Sequence, residues 1–481
     1  MSKFSNYLRA LIKQSEESIT TIARNTGIER TSIHKALKDE RVLPYKALQS
    51  LARYFGLTLE ERQEFFRLHD IRFQGEEAYE NRQAVCTLIN TLAAVDFSMF
   101  PPPEVNALPL TDSLISGEYA VHSLIRSALI YEVSHHRDPE IQMYLPEKLD
   151  LTMEFMELWL NQYPFSVDEI LCIYHADIYH ADSISSPDPV RRNLKKLESV
   201  IPMCLASRGN YKPYYFTEPF FASAISPLSY YIVAPSCLIL LSGDLSTARI
   251  SGDHELIGYY RDFFQKQLPK CDLLTRCGND ILHVLREYID GTSPDSLQIF
   301  MNQPCTGRYI TPEIIQKYLN SDDMPYPAMY SLVEQHFSVL RQISQNYLTI
   351  FTEKGLADLV TSCVLQDLPP QYVPPLDPED IRQMLLSLHE EISDGNISGF
   401  IVRPTYLQLP DYLSLYITPA ELHIYTTNAF VFGAYCCNIH IQEPSLCRIF
   451  TEFIRTLPGS HLVYSQEETL NLLEQYIAQL P

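Results

Sequence analysis

Apolar residues recur at helical spacing through the first 95 positions, and the residues between these runs mark where each helix begins and ends. Phe4, Leu8, Leu11 and Ile12 fall on one face of a first amphipathic segment. Ile19, Ile22 and Ala23 form the apolar side of a short second one, and Ala23 is small enough for another helix to cross closely. Gly27 then permits a tight turn, because a residue without a Cβ adopts left-handed backbone at little cost. From Arg30 to Lys38 a third helix turns Ile33, Ala36 and Leu37 inward and leaves Arg30, Thr31, His34, Lys35 and Lys38 outward. Pro44 opens a fourth helix carrying Leu48, Leu51 and Phe55, closed by Gly56. Thr58 with Glu61 makes a capping box for a fifth, with Phe65, Phe66 and Leu68 inward.

Five helices in this order predict a compact all-α head over residues 1–70. Within it, SEESITTIARNTGIERTSIHKALKDERVLPYKALQSLARYF reads as a helix-turn-helix followed by its supporting helix. Through Ala23, Gly27, Ile33 and LPYKALQSLARYFGL, the head resembles the Cro/CI-like (XRE) family of bacterial and phage regulators, whose heads are lambda-repressor-like. The resemblance implies double-stranded DNA as partner, with the first turn of the second motif helix against base edges. By position that is Arg30 and Thr31, with Lys35 one turn on. Arg30 would fork onto a guanine edge, Thr31 would meet a thymine methyl or a phosphate, and Lys35 would reach a guanine or the backbone, with His34 on the same face. Thr20, Thr21, Ser32 and Lys38 suit phosphate contacts. Where the family often carries a backbone-touching Gln, this chain has Ile19. Two heads one helical turn apart read a two-fold site, so a homodimer is expected.

Charge separates the head from the rest. Through Gly75 there are 13 Lys and Arg against 9 Asp and Glu, a net of +4, whereas the remainder holds 24 against 50, a net of −26. A basic head on an acidic body fits a protein that touches DNA at one end only.

Past the head, Val85, Leu88, Ile89, Leu92 and Val95 share one face of a helix over 76–95, read as a connecting or dimerising element. The run FPPPEVNALPL cannot be helical and reads as a linker, so residues 71–110 form a connecting segment before a body at 111–481, with a subdomain split placed near 300. EIQMYLP, SYYIVAP, CLILLSG, LSLYITP and ELHIYTT read as strands; DLTMEFMELWLNQY, NLKKLESVIPMCLAS, ITPEIIQKYL, DPEDIRQMLLSLHEEI and PSLCRIFTEFIRTL read as helices; DEILCIYHADIYH is ambiguous. The expected class is therefore multidomain: an all-α head plus a large α+β regulatory region without a sustained βαβ rhythm. A weak duplication is visible, because strand-rich 230–251 precedes Leu256, Tyr260 and Phe263, and strand-rich 413–441 precedes Leu446, Phe450 and Phe453, with the same spacing. No 34-residue helical repeat emerges, which counts against a tetratricopeptide array.

At 481 residues, 46% hydrophobic and 20% charged, the chain has the composition of a folded protein of two or three domains. Eleven cysteines without a C-x-x-C pair argue for reduced thiols in a cytoplasm, and adjacent Cys436 and Cys437 read as buried small hydrophobes. No signal peptide is evident, and the longest apolar stretch, YYIVAPSCLILL, is too short for a bilayer, so no membrane partner is expected.

Phosphate loops, H-E-x-x-H, G-x-S-x-G and cysteine–histidine zinc spacings are absent. His175 and His180, with Asp177 and Asp182, could be drawn as a metal site, but five-residue spacing puts the two histidines on different helix faces or on opposite sides of a strand, so no metal, cofactor or catalytic residue is expected. Two strands, an acidic turn and an aromatic helix resemble the phospholipase-D-like regions behind some helix-turn-helix heads. The H-x-K pair of that family is missing, so the resemblance implies a degenerate fold used for sensing. With 31 Tyr and 22 Phe, and clusters such as YKPYYF, aromatic material is available for a pocket or an interface. The reading is a sequence-specific transcriptional regulator, not an enzyme, with a body that senses an unidentified small-molecule or peptide effector. The alternatives are an enzyme tethered by its head and a phage-defence or toxin-system interaction protein.

Overall fold

The computed structural model describes all residues except 99, 105–113, 175–188, 218–226, 279–285, 287–288, 290–296, 321–325, 344–346, 367, 369–371, 419, 427–436 and 481. The four-residue set at His175, Asp177, His180 and Asp182, Cys436 and part of the proline-rich run therefore lie outside the described residues.

The head is built from α1 (Lys3–Gln14), α2 (Ile19–Thr26), α3 (Arg30–Leu37), α4 (Tyr45–Tyr54) and α5 (Leu59–Gln74). Its core comprises Phe4, Leu8, Ile22, Ile33, Leu48, Leu51, Phe65 and their neighbours, with the Phe4 and Phe65 rings stacked at 5.3 Å. The local signals act as expected. Ser18 caps α2 by accepting from the Thr21 amide, Gly27 closes it in left-handed backbone (φ 70°), and Thr58 with Glu61 forms a reciprocal capping box on α5.

The helix expected at 76–95 forms as α6 (Glu76–Ala93), joined to α5 through Gly75 at φ 95°. Its stripe of Val85, Leu88, Ile89 and Leu92 is buried within the chain, against α9 (Pro189–Ser207) and α15 (Pro444–Thr456). As a linker or dimer seam that stripe is corrected: its apolar surface is already covered, so a contact between two copies would use another surface.

Two sheets make the body. The first runs β1-β7-β6-β5-β2-β3-β4-β8 and the second β12-β11-β10-β13-β14-β15-β9. Their strands are β1 (Leu114–Ser116), β2 (Glu140–Tyr144), β3 (Ser166–Cys172), β4 (Tyr211–Phe216), β5 (Tyr230–Val233), β6 (Leu238–Leu241), β7 (Thr247–Ser251) and β8 (Asp272–Leu273), then β9 (Arg276–Gly278), β10 (Leu297–Phe300), β11 (Tyr347–Thr352), β12 (Ser398–Val402), β13 (Ser414–Ile417), β14 (Leu422–Thr426) and β15 (Cys437–Ile441). In each sheet three strands are parallel, β2/β3/β4 and β10/β11/β12, and the next three return as an antiparallel meander from the first of them. With β8 set aside, the two orders are identical. The duplication suggested by the aromatic helices is therefore present in the topology, since α10 (His254–Gln267) follows β7 as α15 follows β15.

Two expectations change. Each sheet carries a βαβαβ unit, through α8 (Thr152–Leu160) and α9 in the first and through the pairs α11 (Pro312–Tyr318), α12 (Tyr326–Gln342) and α13 (Glu353–Ser362), α14 (Pro378–Ser393) in the second. Paired crossover helices and short buried strands hide that rhythm. The first sheet ends at β8 and the second begins at β9, so the division falls ahead of residue 300. The inward faces of both sheets share one core with α6, α7 (Glu118–His135), α8, α9 and α15. On the outer faces, α10 covers the first sheet, and α11 to α14 with α16 (Gln466–Ile477) cover the second.

Candidate nucleic-acid interface

Helix α3 is held at its C-terminal end. Its C-terminal carbonyl at Leu37 accepts from Arg9 Nη2 at 2.7 Å, and the next turn is tied by Asp39, which adopts left-handed backbone (φ 62°). Asp39 accepts from the Ser2 amide at 2.6 Å and the Ser2 hydroxyl at 2.5 Å, while Arg72 Nη2 donates to its carbonyl at 2.6 Å. Burial would raise the Asp39 carboxyl, but the Ser2 hydrogen bonds outweigh it and hold the group below the usual carboxylate range. The end of α3 is thereby fastened to α1 and α5, which fixes the direction in which its outer face points.

On that face Arg30, Thr31, Lys35 and Lys38 are exposed and His34 is half-buried, with Arg30 Nε 3.5 Å from His34 Nε2. Thr20 is exposed and Thr21 half-buried, its hydroxyl 2.9 Å from Ser18 Oγ. Ser32 departs from its expected role. It is turned inward, 7% exposed, and its hydroxyl accepts from Arg41 Nη1 at 3.1 Å. Its position four residues before Ala36 places it on the buried stripe, so it positions the helix and Arg41 instead of meeting a phosphate. Glu29, the residue preceding α3, brings its carboxylate within 3.4 Å of the Thr31 hydroxyl. A negative group at a helix N-terminus is favourable in the unbound head, and an approaching phosphate would have to displace it.

A polar node with no counterpart in the sequence reading joins head to body. Asp70 on α5 accepts from Arg82 Nη2 of α6 at 2.5 Å, with both side chains at most 1% exposed. His461, which follows α15, sits 2.9 Å from the same carboxylate, and His69 lies 3.3 Å from its other oxygen. Burial alone would raise the Asp70 carboxyl, yet the histidine hydrogen bonds and the Arg82 charge hold it well below the ordinary range. Gln74 Nε2 donates to the Thr456 carbonyl at 2.8 Å, and the Arg403 guanidinium lies over the Tyr45 ring at 5.6 Å. A cavity of about 530 Å³ opens beside this junction, between Leu43, Tyr45 and Gln49 of the head and Arg403, Tyr464 and Glu468 of the body.

The body holds a strongly charged cleft, about 180 Å³, at the carboxyl ends of β2 and β3 and along α9. Burial pushes the Glu169 carboxyl up to about 7 even though the Tyr211 hydroxyl donates to it at 2.5 Å. Burial also lowers the Lys196 ammonium, against the pull of Glu147. Arg192 pairs with Glu147 at 2.6 Å and stacks over the Tyr174 ring at 3.6 Å. No helix among the described residues is long and apolar enough to cross a membrane.

No family model and no curated protein matches the chain. Among solved structures it is weakly similar to TrmBL2, an archaeal chromatin protein whose structure shows a novel mode of DNA binding (11% identity, 56% of this chain and 100% of that one, TM-score 0.24). It is as weakly similar to phosphatidylserine synthase of Haemophilus influenzae Rd KW20 (9%, 83% and 97%, 0.24) and to polyphosphate kinase of Porphyromonas gingivalis (12%, 76% and 56%, 0.20). Likenesses at this level do not choose among functions.

Proposed function

We propose that the chain is a sequence-specific DNA-binding transcriptional regulator of the Cro/CI-like type, in which α3 enters the major groove and the two-sheet body biases the head. The observation that carries this reading is the sorting of α3: Ile33, Ala36 and Leu37 are buried while Arg30, Thr31, Lys35 and Lys38 stand exposed on one anchored helix after the Gly27 turn. A net charge of +4 over the head against −26 over the rest supports contact at that end alone. Reading a two-fold site calls for two copies, whose contact lies outside the α6 stripe.

The test is binding of the full chain to duplexes selected from a random pool. Arg30→Ala should lose about 1 to 3 kcal/mol at the preferred site and relax its sequence preference. Lys38→Ala should weaken all sequences evenly and reduce the salt dependence by roughly one unit of slope. Affinity and preference unchanged in Arg30→Ala would remove the assignment.

A second reading, an enzyme tethered by its head, is favoured by one observation: the cleft at β2 and β3 is lined by a buried carboxyl raised to about 7 and by the half-buried amine of Lys196. In the regulator reading the same cleft takes a charged effector. Turnover of a nucleotide, lipid or peptide by the full chain, abolished in Glu169→Gln, would favour the enzyme.

A further inference from the structure

We propose that Glu421, His423 and His440 form a binding site for a divalent transition-metal ion of the zinc class. The residues come together through sheet register. Glu421, immediately before β14, and His423 within it are two apart and so share a side, and His440 on β15 is the direct cross-strand partner of His423. The two imidazoles stack at 4.3 Å with 9° between their planes. Both rings turn Nε2 toward one carboxylate oxygen, with Glu421 Oε2 3.3 Å from His423 and 3.6 Å from His440.

Those separations suit coordination, and because each Nε2 lone pair lies in its ring plane, rotation of one stacked imidazole about its Cβ–Cγ bond would bring both onto one ion. Ligand atoms at about 2.0 to 2.1 Å from a tetrahedral zinc lie roughly 3.3 Å from one another, and here one donor atom from each residue lies within 4.8 Å of the others. Two neutral imidazoles and a carboxylate supply three ligands and leave the fourth position for water or a further donor. The surroundings are those of a supported site. Gln442 Nε2 holds the other Glu421 oxygen at 2.9 Å, and the Asn438 amide lies 3.2 Å from His423 Nδ1. With that amide turned so that its oxygen accepts from Nδ1–H, the Nε2 lone pair of His423 faces the ion. His423 is 4% exposed, whereas His440 and Glu421 keep 10% and 21% of their side-chain surface open, which gives the ion a way in.

The site stands apart from the DNA-binding reading and is tested separately. The full chain, stripped with a chelator, is titrated with Zn²⁺ against a chromophoric competitor and with Co²⁺ followed by visible absorption. One equivalent of zinc and the absorption of a tetrahedral cobalt centre are expected. His423→Gln with His440→Gln should lose both, and Glu421→Gln, which keeps shape and removes charge, should bind at least tenfold more weakly. A parent chain that takes up neither ion, or a folded double variant that retains the same equivalent, overturns the site. If the double variant does not fold, Asn438→Ala decides: loss of about ten- to a hundredfold in affinity supports the site, and unchanged affinity places the ion elsewhere.

Discussion

Asp70→Asn isolates the electrostatic part of the joint between head and body, because it keeps the side chain's shape and removes one charge. Arg82 is fully buried and Asp70 is 1% exposed, with 2.5 Å between Nη2 and Oδ2. Without the carboxylate charge, the guanidinium keeps only neutral acceptors: Gln74 Oε1 at 2.5 Å and the Thr456 carbonyl at 3.4 Å from Nη1. Arg82 Nε already has no partner among the described residues. Removing one member of a buried pair costs about 3 to 5 kcal/mol, because the other is left charged in a poor solvent. The pH sign follows from the lowered Asp70 pKa. Its stabilisation is fully present above the unfolded carboxylate value and is lost as pH falls below it toward the folded one. Hydrogen exchange at neutral pH reads the effect locally: a loss of about 3 kcal/mol corresponds to amides of α5 exchanging roughly a hundredfold faster. Trp159, packed on Phe165 at 4.7 Å in the core between the sheets, gives an independent record of the body's unfolding. Adding Arg82→Met should restore much of the protection, since both charges are then gone. Protection of α5 reduced less than about fivefold in Asp70→Asn would refute the node as a structural joint; on this scale that is under about 1 kcal/mol.

Glu169→Gln should flatten the pH dependence of the stability of the first sheet and its helices. A carboxyl raised to about 7 stabilises below its unfolded value and loses that contribution as pH rises through 7, on the order of 3 kcal/mol in the parent; Trp159 fluorescence in urea on either side of that window reads it, and a variant that tracks the parent would refute it. Leu88→Asp puts a carboxylate into the covered α6 stripe and should cost more than about 3 kcal/mol at every protein concentration, seen as loss of the folded signal. A folded variant with altered mass in solution would instead place that stripe between subunits.

Local signals were the readable ones. Thr58 with Glu61, Thr311 before Pro312, Asp377 before Pro378 and the Gly27 turn each mark a helix end with groups adjacent in sequence, and each helix is found where its marker stands. The inward turn of Ser32 was also within reach, since i and i+4 share a face. Strand β10 was not, because Leu297, Gln298, Ile299 and Phe300 are all buried and show no alternation to read. The contacts that define candidate sites lay further out of sight. Glu421 and His423 show a period of two, but only the β14/β15 register adds His440. His461 reaches Asp70 across 391 positions, a pairing that no local pattern encodes.

Under the proposed reading, the same joint limits how the body could act on the head. The stripe of α6 is packed in the body core and the helix carries Arg82 at its head end, so the head does not swing on an independent linker. Reorienting it means breaking or carrying along the contacts of Asp70 with Arg82 and His461. Helix α9 lines the charged cleft with Arg192, Lys195 and Lys196 and packs on α6, so an occupant of the cleft touches a helix one layer from the node. An occupant shifts an equilibrium only by its difference in affinity for the two arrangements, and inverting a 99:1 preference takes about 5.5 kcal/mol. Deleting one partner of a buried pair costs about 3 to 5 kcal/mol, and parting an intact pair whose charges both regain water costs less, so the pair alone stays within that range. If the chain is such a regulator, the joint would hold one head orientation until an occupant that discriminates between the two arrangements by about that amount released it.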